Sequence, residues 1–180
     1  MKVSRAPKIL PAGRAATLAR RLQRRGQVVV FTNGCFDLLH AGHVGLLEKA
    51  RAHGDFLVVG VNSDRSVRRL KGAGRPIVPL RERMEVLAAL RAVDCVVPFG
   101  EATPARLIVR IRPDVLVKGA DYRQAEIVGR DTVEASGGRV VTVPLQRGRS
   151  TSDLIRRALR AAAEGAGESD PAISRRHRGA

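Results

Sequence analysis

The sequence predicts an α/β protein: a Rossmann-like, doubly wound sheet of five parallel strands with helices on both faces. Short, wholly apolar runs such as Val28-Val29-Val30-Phe31, Phe56-Leu57-Val58-Val59 and Val115-Leu116-Val117 are what strands buried on both faces require. These runs alternate with longer stretches of helical spacing, the pattern of crossover units in a parallel sheet. A chain of 180 residues with 44% hydrophobic content is long enough to bury one core without staples.

The elements follow in order. Over 13–25, Ala15, Ala16, Leu18, Ala19 and Leu22 recur at near-helical spacing with arginines opposite, and Gly26 stops the helix. A strand over 28–31, a helix over 43–52 ending at Gly54, and a strand over 56–61 come next. Residues 62–79 read as a loop punctuated by Gly72, Gly74, Pro76 and Pro79, and its cations Lys71 and Arg75 make it a mobile flap. A helix over 80–92 leads to a strand over 95–97. Thr103, ahead of Pro104 at a first helical position, is expected to cap a helix reaching 111. A strand over 115–117, a short helix over 126–136 and a strand over 140–143 follow. Ser150, Thr151, Ser152 and Asp153 cap a last helix over 154–163. The domains are accordingly 1–26 (extension and lead-in helix), 27–163 (the main domain) and 164–180, a basic tail with little to bury and expected to be disordered.

Composition narrows the function classes. The net charge of +16 invites a nucleic-acid partner. Most of that charge is arginine in an alanine- and glycine-rich chain, which also fits codon bias, and 3% aromatic content leaves few stacking platforms. No apolar run approaches the roughly 18 residues of a membrane span, and no apolar segment follows the basic N-terminus as in a signal peptide. Cys35 and Cys95 make no disulfide framework, so a cytoplasmic setting is expected. Lysine is scarce, occurring at Lys2, Lys8, Lys49, Lys71 and Lys118, and the last two each precede a glycine.

The chemistry centres on Thr32-Asn33-Gly34-Cys35-Phe36-Asp37 with His40-Ala41-Gly42-His43. A strand, a glycine-bearing turn and a helix start place backbone N–H groups and the positive helix end where phosphate binds in such folds. Two imidazoles there add donors for charge developing on a phosphate. Paired histidines can also hold zinc, but His53 and His177 lie at a helix end and in the tail and the cysteines suggest no cluster, so no metal site is expected. A Walker A loop, a Gly-x-Gly-x-x-Gly fingerprint after the first strand and a nucleophile elbow are all absent. The segments after three strands, with the 150–152 helix start, converge on the carboxyl edge of the sheet.

These motifs resemble the His-x-Gly-His nucleotidyltransferases, the cytidylyl- and adenylyltransferases related in fold to class I aminoacyl-tRNA synthetases. Within that family the similarity is greatest to the heptose 1-phosphate adenylyltransferases of ADP-heptose synthesis, often joined to a sugar kinase. It extends through Val61-Asn62-Ser63-Asp64, Leu70-Lys71-Gly72, Arg75-Pro76-Ile77, Val97-Pro98-Phe99, Leu116-Val117-Lys118-Gly119-Ala120-Asp121-Tyr122 and Ser150-Thr151-Ser152, over about residues 13–160. Ala120 stands where glycine is common, and the tail lies outside the family core.

The resemblance implies transfer of AMP from ATP to a sugar 1-phosphate, with direct in-line attack and release of pyrophosphate. His40, His43 and Lys71 are its implied catalytic residues. Asn33, Gly34, Cys35, Phe36, Asp37, Gly42, Lys118, Gly119, Asp121, Ser150, Thr151 and Ser152 are its implied nucleotide-binding residues. Arg75 and Arg83 are candidates for substrate phosphate, Arg83 alternatively a surface partner of Glu82 or Glu85. Mg²⁺ is expected to arrive with ATP, held by phosphates and water. A separate sugar kinase is the expected pathway partner, and a homodimer is compatible with the family. Glycerol 3-phosphate with CTP, or FMN with ATP, are alternative substrate pairs, and a basic nucleic-acid-binding protein is the non-enzyme alternative.

Overall fold

The computed structural model describes residues 8–120, 126–144 and 150–167. Its elements are α1 (Ala12–Gln23), β1 (Val29–Gly34), α2 (Ala41–Arg51), β2 (Phe56–Asn62), α3 (Asp64–Lys71), α4 (Leu80–Ala89), β3 (Cys95–Phe99), α5 (Ala105–Ile111), β4 (Val115–Gly119), α6 (Arg130–Ala135), β5 (Arg139–Val143) and α7 (Thr151–Gly167). The five strands form one parallel sheet in the order β3-β2-β1-β4-β5, the doubly wound arrangement expected.

Alternation along each strand divides the core in two. Phe31, Val58 and Leu116 face a layer built with Ala15, Ala16 and Ala19 of α1, Ile108 and Ile111 of α5, and Val133 of α6. Val30, Leu57, Val59, Val115 and Val117 face the opposite layer, with Leu47 and Ala50 of α2 and Leu87 of α4. The lead-in helix is thus a part of the core, and its small alanines let it lie close to the sheet. The β3 edge tolerates Pro98, and its outer side is covered where Leu10 N–H donates to Val96 O at 3.0 Å and Val96 N–H to Lys8 O at 2.8 Å.

Several boundaries depart from the expectations. The presumed loop over 62–79 contains α3, whose N-cap Ser63 accepts from Ser66 N–H at 3.3 Å. Only Ser66 and Val67 of that helix are buried, so it carries no apolar stripe to read. Its C-cap Gly72 adopts φ 97°, which an L side chain rarely takes. Thr103 caps nothing: α5 starts after Pro104, which holds the N-cap position with no side-chain cap, and Ile108 N–H donates to Pro104 O. The strands run further toward their carboxyl ends than their apolar runs, β1 to Gly34, β3 to Phe99 and β4 to Gly119. Helix α4 ends at Ala89, short of 92, and α6 spans only Arg130–Ala135. Ser150 does cap α7, accepting from Asp153 N–H at 3.1 Å, but the helix continues to Gly167, so residues 164–167 are helical where disorder was expected. The remaining tail, 168–180, lies outside the described residues.

Candidate active site

Strands β1 and β2 pair over six positions, whereas β1 and β4 pair only at Val30 with Val115 and at Phe31 with Leu116. Beyond those pairs the two strands part at the point where the strand order reverses, which opens a crevice at their carboxyl ends. A cavity of about 540 Å³ occupies this edge. Its walls bring together Asn33, Gly34, Cys35, Phe36, Asp37, His40, Gly42, His43, Lys71, Arg75, Lys118, Gly119, Ser150, Thr151 and Ser152. Across the crevice Lys118 Nζ donates to Asn33 Oδ1.

The turn after β1 is tightly made. Phe36 holds φ 46°, an uncommon conformation for a bulky residue. A Cβ on Gly34 would stand 3.1 Å from the Phe36 ring, so glycine gives the ring its place. Phe36 in turn packs edge-on against His43, with centroids 5.3 Å apart and planes at 61°. His40 is the N-cap of α2 and His43 lies in its first turn, so their rings stack at 3.8 Å and 24°. Burial, and then the neighbouring His40, pull the His43 pKa down to about 4, so that imidazole is neutral at pH 7. His43 N–H and Val44 N–H already donate to His40 O, while the amides of Ala41 and Gly42, earlier in the turn, have no acceptor within the helix. Thr151 Oγ1 donates to Leu38 O at 3.4 Å, bringing the start of α7 beside the same loop.

Asp37 is buried and organises the flap. Its carboxylate accepts from Ile77 N–H at 2.8 Å, from Val78 N–H at 2.9 Å and from Arg75 Nε. Burial alone would raise its pKa, yet the amides of Val78 and Ile77 and the Arg75 guanidinium together hold it below the ordinary carboxylate value. The segment after α3 is therefore tied down at residues 75–78. For Cys35, burial outweighs the cations Lys71, Arg83 and Arg75 and pushes the thiol up, which leaves it protonated at neutral pH.

Arg83 takes neither of its expected places. It is buried and does not line the cavity; its guanidinium donates to Val78 O at 2.9 Å, Asn62 O at 2.9 Å, Cys35 O, and Asp64 Oδ1 at 2.7 Å. It braces the wall from behind, and the pairing with Glu82 or Glu85 does not occur, since Glu85 joins Arg81. Asp121 lies outside the described residues. The cavity also has walls that were not foreseen: Thr32 and Asn62 at strand ends, Ala102, Thr103 and Pro104 before α5, and Glu126, Ile127 and Val128 beyond β4. Thr32 and Asn62 lie within the motifs Thr32–Asp37 and Val61–Asp64 but carry no expected role there; for the rest, which carry no motif, position after a strand was the available signal. Among the described residues no three His, Cys, Asp or Glu side chains gather as a metal site, and no helix is long and apolar enough to cross a membrane.

Stacked imidazoles, two helix starts and the cations Lys71, Arg75 and Lys118 around one cavity suit a polyphosphate. The chain is 58% identical to the bifunctional protein HldE of Coxiella burnetii over 134 residues, which are 74% of this chain and 28% of that protein. It is 59% identical to HldE of Halorhodospira halophila over 138 residues, 77% and 29% of the two. The chain thus spans less than a third of the length of these relatives. A crystal structure of a lipopolysaccharide core biosynthesis protein from Thermoplasma volcanium matches with a TM-score of 0.57 and 28% identity, over 69% of this chain and all of that one. The pantoate-beta-alanine ligase of Francisella tularensis shares the fold, with a TM-score of 0.58 at 18% identity over 82% of this chain and 69% of that one. Residues 31–157 match the cytidylyltransferase-like family. The chain belongs to that family.

Proposed function

We propose that the protein transfers AMP from ATP to a sugar 1-phosphate, D-glycero-β-D-manno-heptose 1-phosphate, giving ADP-heptose and pyrophosphate. The observation that carries this reading is the gathering of His40, His43, Lys71, Lys118 and the α2 and α7 starts around one cavity, in a chain 58% identical to HldE. The name of the Thermoplasma relative, a lipopolysaccharide core biosynthesis protein, supports a sugar acceptor.

In this reading the acceptor phosphate oxygen attacks the α-phosphorus of ATP in line, and pyrophosphate leaves with the broken P–O electron pair. Such transfers depend on positioning and charge neutralisation rather than on a protein nucleophile. A neutral His43 serves as a hydrogen-bond donor, Lys71 approaches the phosphates from the end of α3, and the first turn of α2 offers amides. Mg²⁺ fits as a companion of the nucleotide. The Asp37 oxygens are already engaged by Arg75, Ile77 and Val78, so phosphates and water would supply its coordination. In this reading a sugar kinase would supply the acceptor, in the cytoplasm.

The test is pyrophosphate release across ATP, CTP, GTP and UTP, each with sugar 1-phosphates, glycerol 3-phosphate and FMN. Turnover with ATP and heptose 1-phosphate is expected. Turnover confined to CTP with glycerol 3-phosphate, or to ATP with FMN, would replace the acceptor. Steeply salt-dependent DNA binding with no nucleotide binding would displace the enzyme reading altogether.

A further inference from the structure

Thr32 is 1% exposed and lines the cavity, yet its Oγ1 has no hydrogen-bond partner among the described residues. The same holds for Nδ1 of His43, also buried and on the cavity wall. Buried polar atoms are ordinarily paired, so two orphans on one wall require a common explanation.

The fold sets them on the same side of the sheet, at its carboxyl edge. Helix α2 follows β1 through one short turn and packs back on it, so its start lies beside the strand's carboxyl end. Val30 of β1 and Leu47 of α2 share one core layer. His43 stands one turn before Leu47, about 6 Å up the helix. Thr32 stands two residues beyond Val30 on the same face of the sheet, about 6.6 Å up the strand. The two steps are alike, and both residues end on the wall of the same cavity.

We propose that Thr32 is a positioning residue that fixes the tautomer of His43, its hydroxyl acting on Nδ1 through one ordered water that donates to that nitrogen. With Nδ1 accepting, the single proton of the neutral ring sits on Nε2. A neutral imidazole can donate to a phosphate oxygen only from the nitrogen that keeps its proton, so this hydrogen bond decides which edge of His43 is the donor. The stacked His40 and the edge-on Phe36 hold the ring plane, and Thr32 supplies what they cannot, the placement of the proton. The role in turnover rests on the transferase reading above; the tautomer does not.

The test uses the full chain labelled with ¹⁵N at histidine, and long-range ¹H–¹⁵N spectra at neutral pH. In the wild type, His43 Nδ1 should resonate as an unprotonated acceptor and Nε2 as protonated. Thr32→Val, an isosteric change that suits a strand, should mix the tautomers, and Thr32→Ser should restore the wild-type pattern. In steady-state assays, Thr32→Val should lower kcat about tenfold with KM for ATP little changed, as when the outer partner of an imidazole is lost. A proton on Nδ1 in the wild type, or a Thr32→Val spectrum identical to wild type, would overturn the proposal even if that variant's stability changed. Absence of transferase activity in the wild type with every substrate pair would instead overturn the transferase reading and leave the tautomer result standing.

Discussion

Asp37 and Arg75 form an ion pair in which the Asp37 side chain is 1% exposed, and it fastens the segment after α3 to the turn after β1. The same carboxylate accepts from the amides of Ile77 and Val78. Asp37→Ala strands a guanidinium and two amides, so it should destabilise the protein by about 3 kcal/mol in urea unfolding. Hydrogen exchange at Ile77 and Val78 should accelerate while that of the β1 amides changes less. Equal protection of Ile77 and Val78 in both proteins would show that the segment holds itself.

Arg83 is the largest fully buried side chain, and each of its contacts serves a different part of the site wall. Removing it leaves Asp64 without its partner and strips donors from the carbonyls of Cys35, Asn62 and Val78. Arg83→Ala should therefore cost about 3–5 kcal/mol of stability, measured by chemical denaturation. Arg83→Lys should recover little, since one ammonium cannot reproduce a planar fork reaching several acceptors. Full recovery by lysine would reduce the role of Arg83 to its charge.

The legible parts of the molecule were those whose physics is periodic or local. Val28-Val29-Val30-Phe31 and Val115-Leu116-Val117 announced buried strands because both faces of the sheet are covered. Asn33, Gly34 and the two histidines could be expected at one edge of the sheet, where they do line a single cavity, because a strand, a turn and a helix start meet there. What could not be read depends on distant partners. Helix α3 was hidden because its stability comes from the Ser63 cap and the Arg83–Asp64 pair rather than an apolar stripe. Arg83 reads from sequence as a phosphate ligand or a surface partner of Glu82 or Glu85, since burial and four acceptors are properties of the assembled fold. Thr103, though well placed for a cap in sequence, lost that role when Pro104 took the N-cap position.

Lys71 and His43 reach the cavity from different elements, and their removal should be told apart by kinetics. Lys71 is exposed at the last residue of α3 and has no core role, so Lys71→Ala should leave the unfolding curve unchanged. Its kcat should fall about a hundredfold, the scale of losing one charge-stabilising donor. His43→Ala should lower kcat by roughly two to four powers of ten, with ATP affinity falling less. Wild-type turnover in either variant would remove that residue from the machinery.

The His43 pKa also makes stability depend on pH in a defined window. Its folded value of about 4 lies below the ordinary 6.5, so between those pH values the unfolded chain binds a proton that the folded one refuses. Stability from this group is therefore full above about pH 6.5 and is lost as pH falls toward 4, by up to about 3 kcal/mol. Asp37 adds a loss only at lower pH, because its folded value lies beneath the ordinary 3.8. Urea midpoints of the unliganded protein at pH 7 and pH 4.5 should thus differ more in the wild type than in His43→Gln, which carries no titrating ring. Equal differences in the two proteins would mean that the buried imidazole accepts its proton as readily folded as unfolded, and the neutral donor assigned to His43 would have no basis.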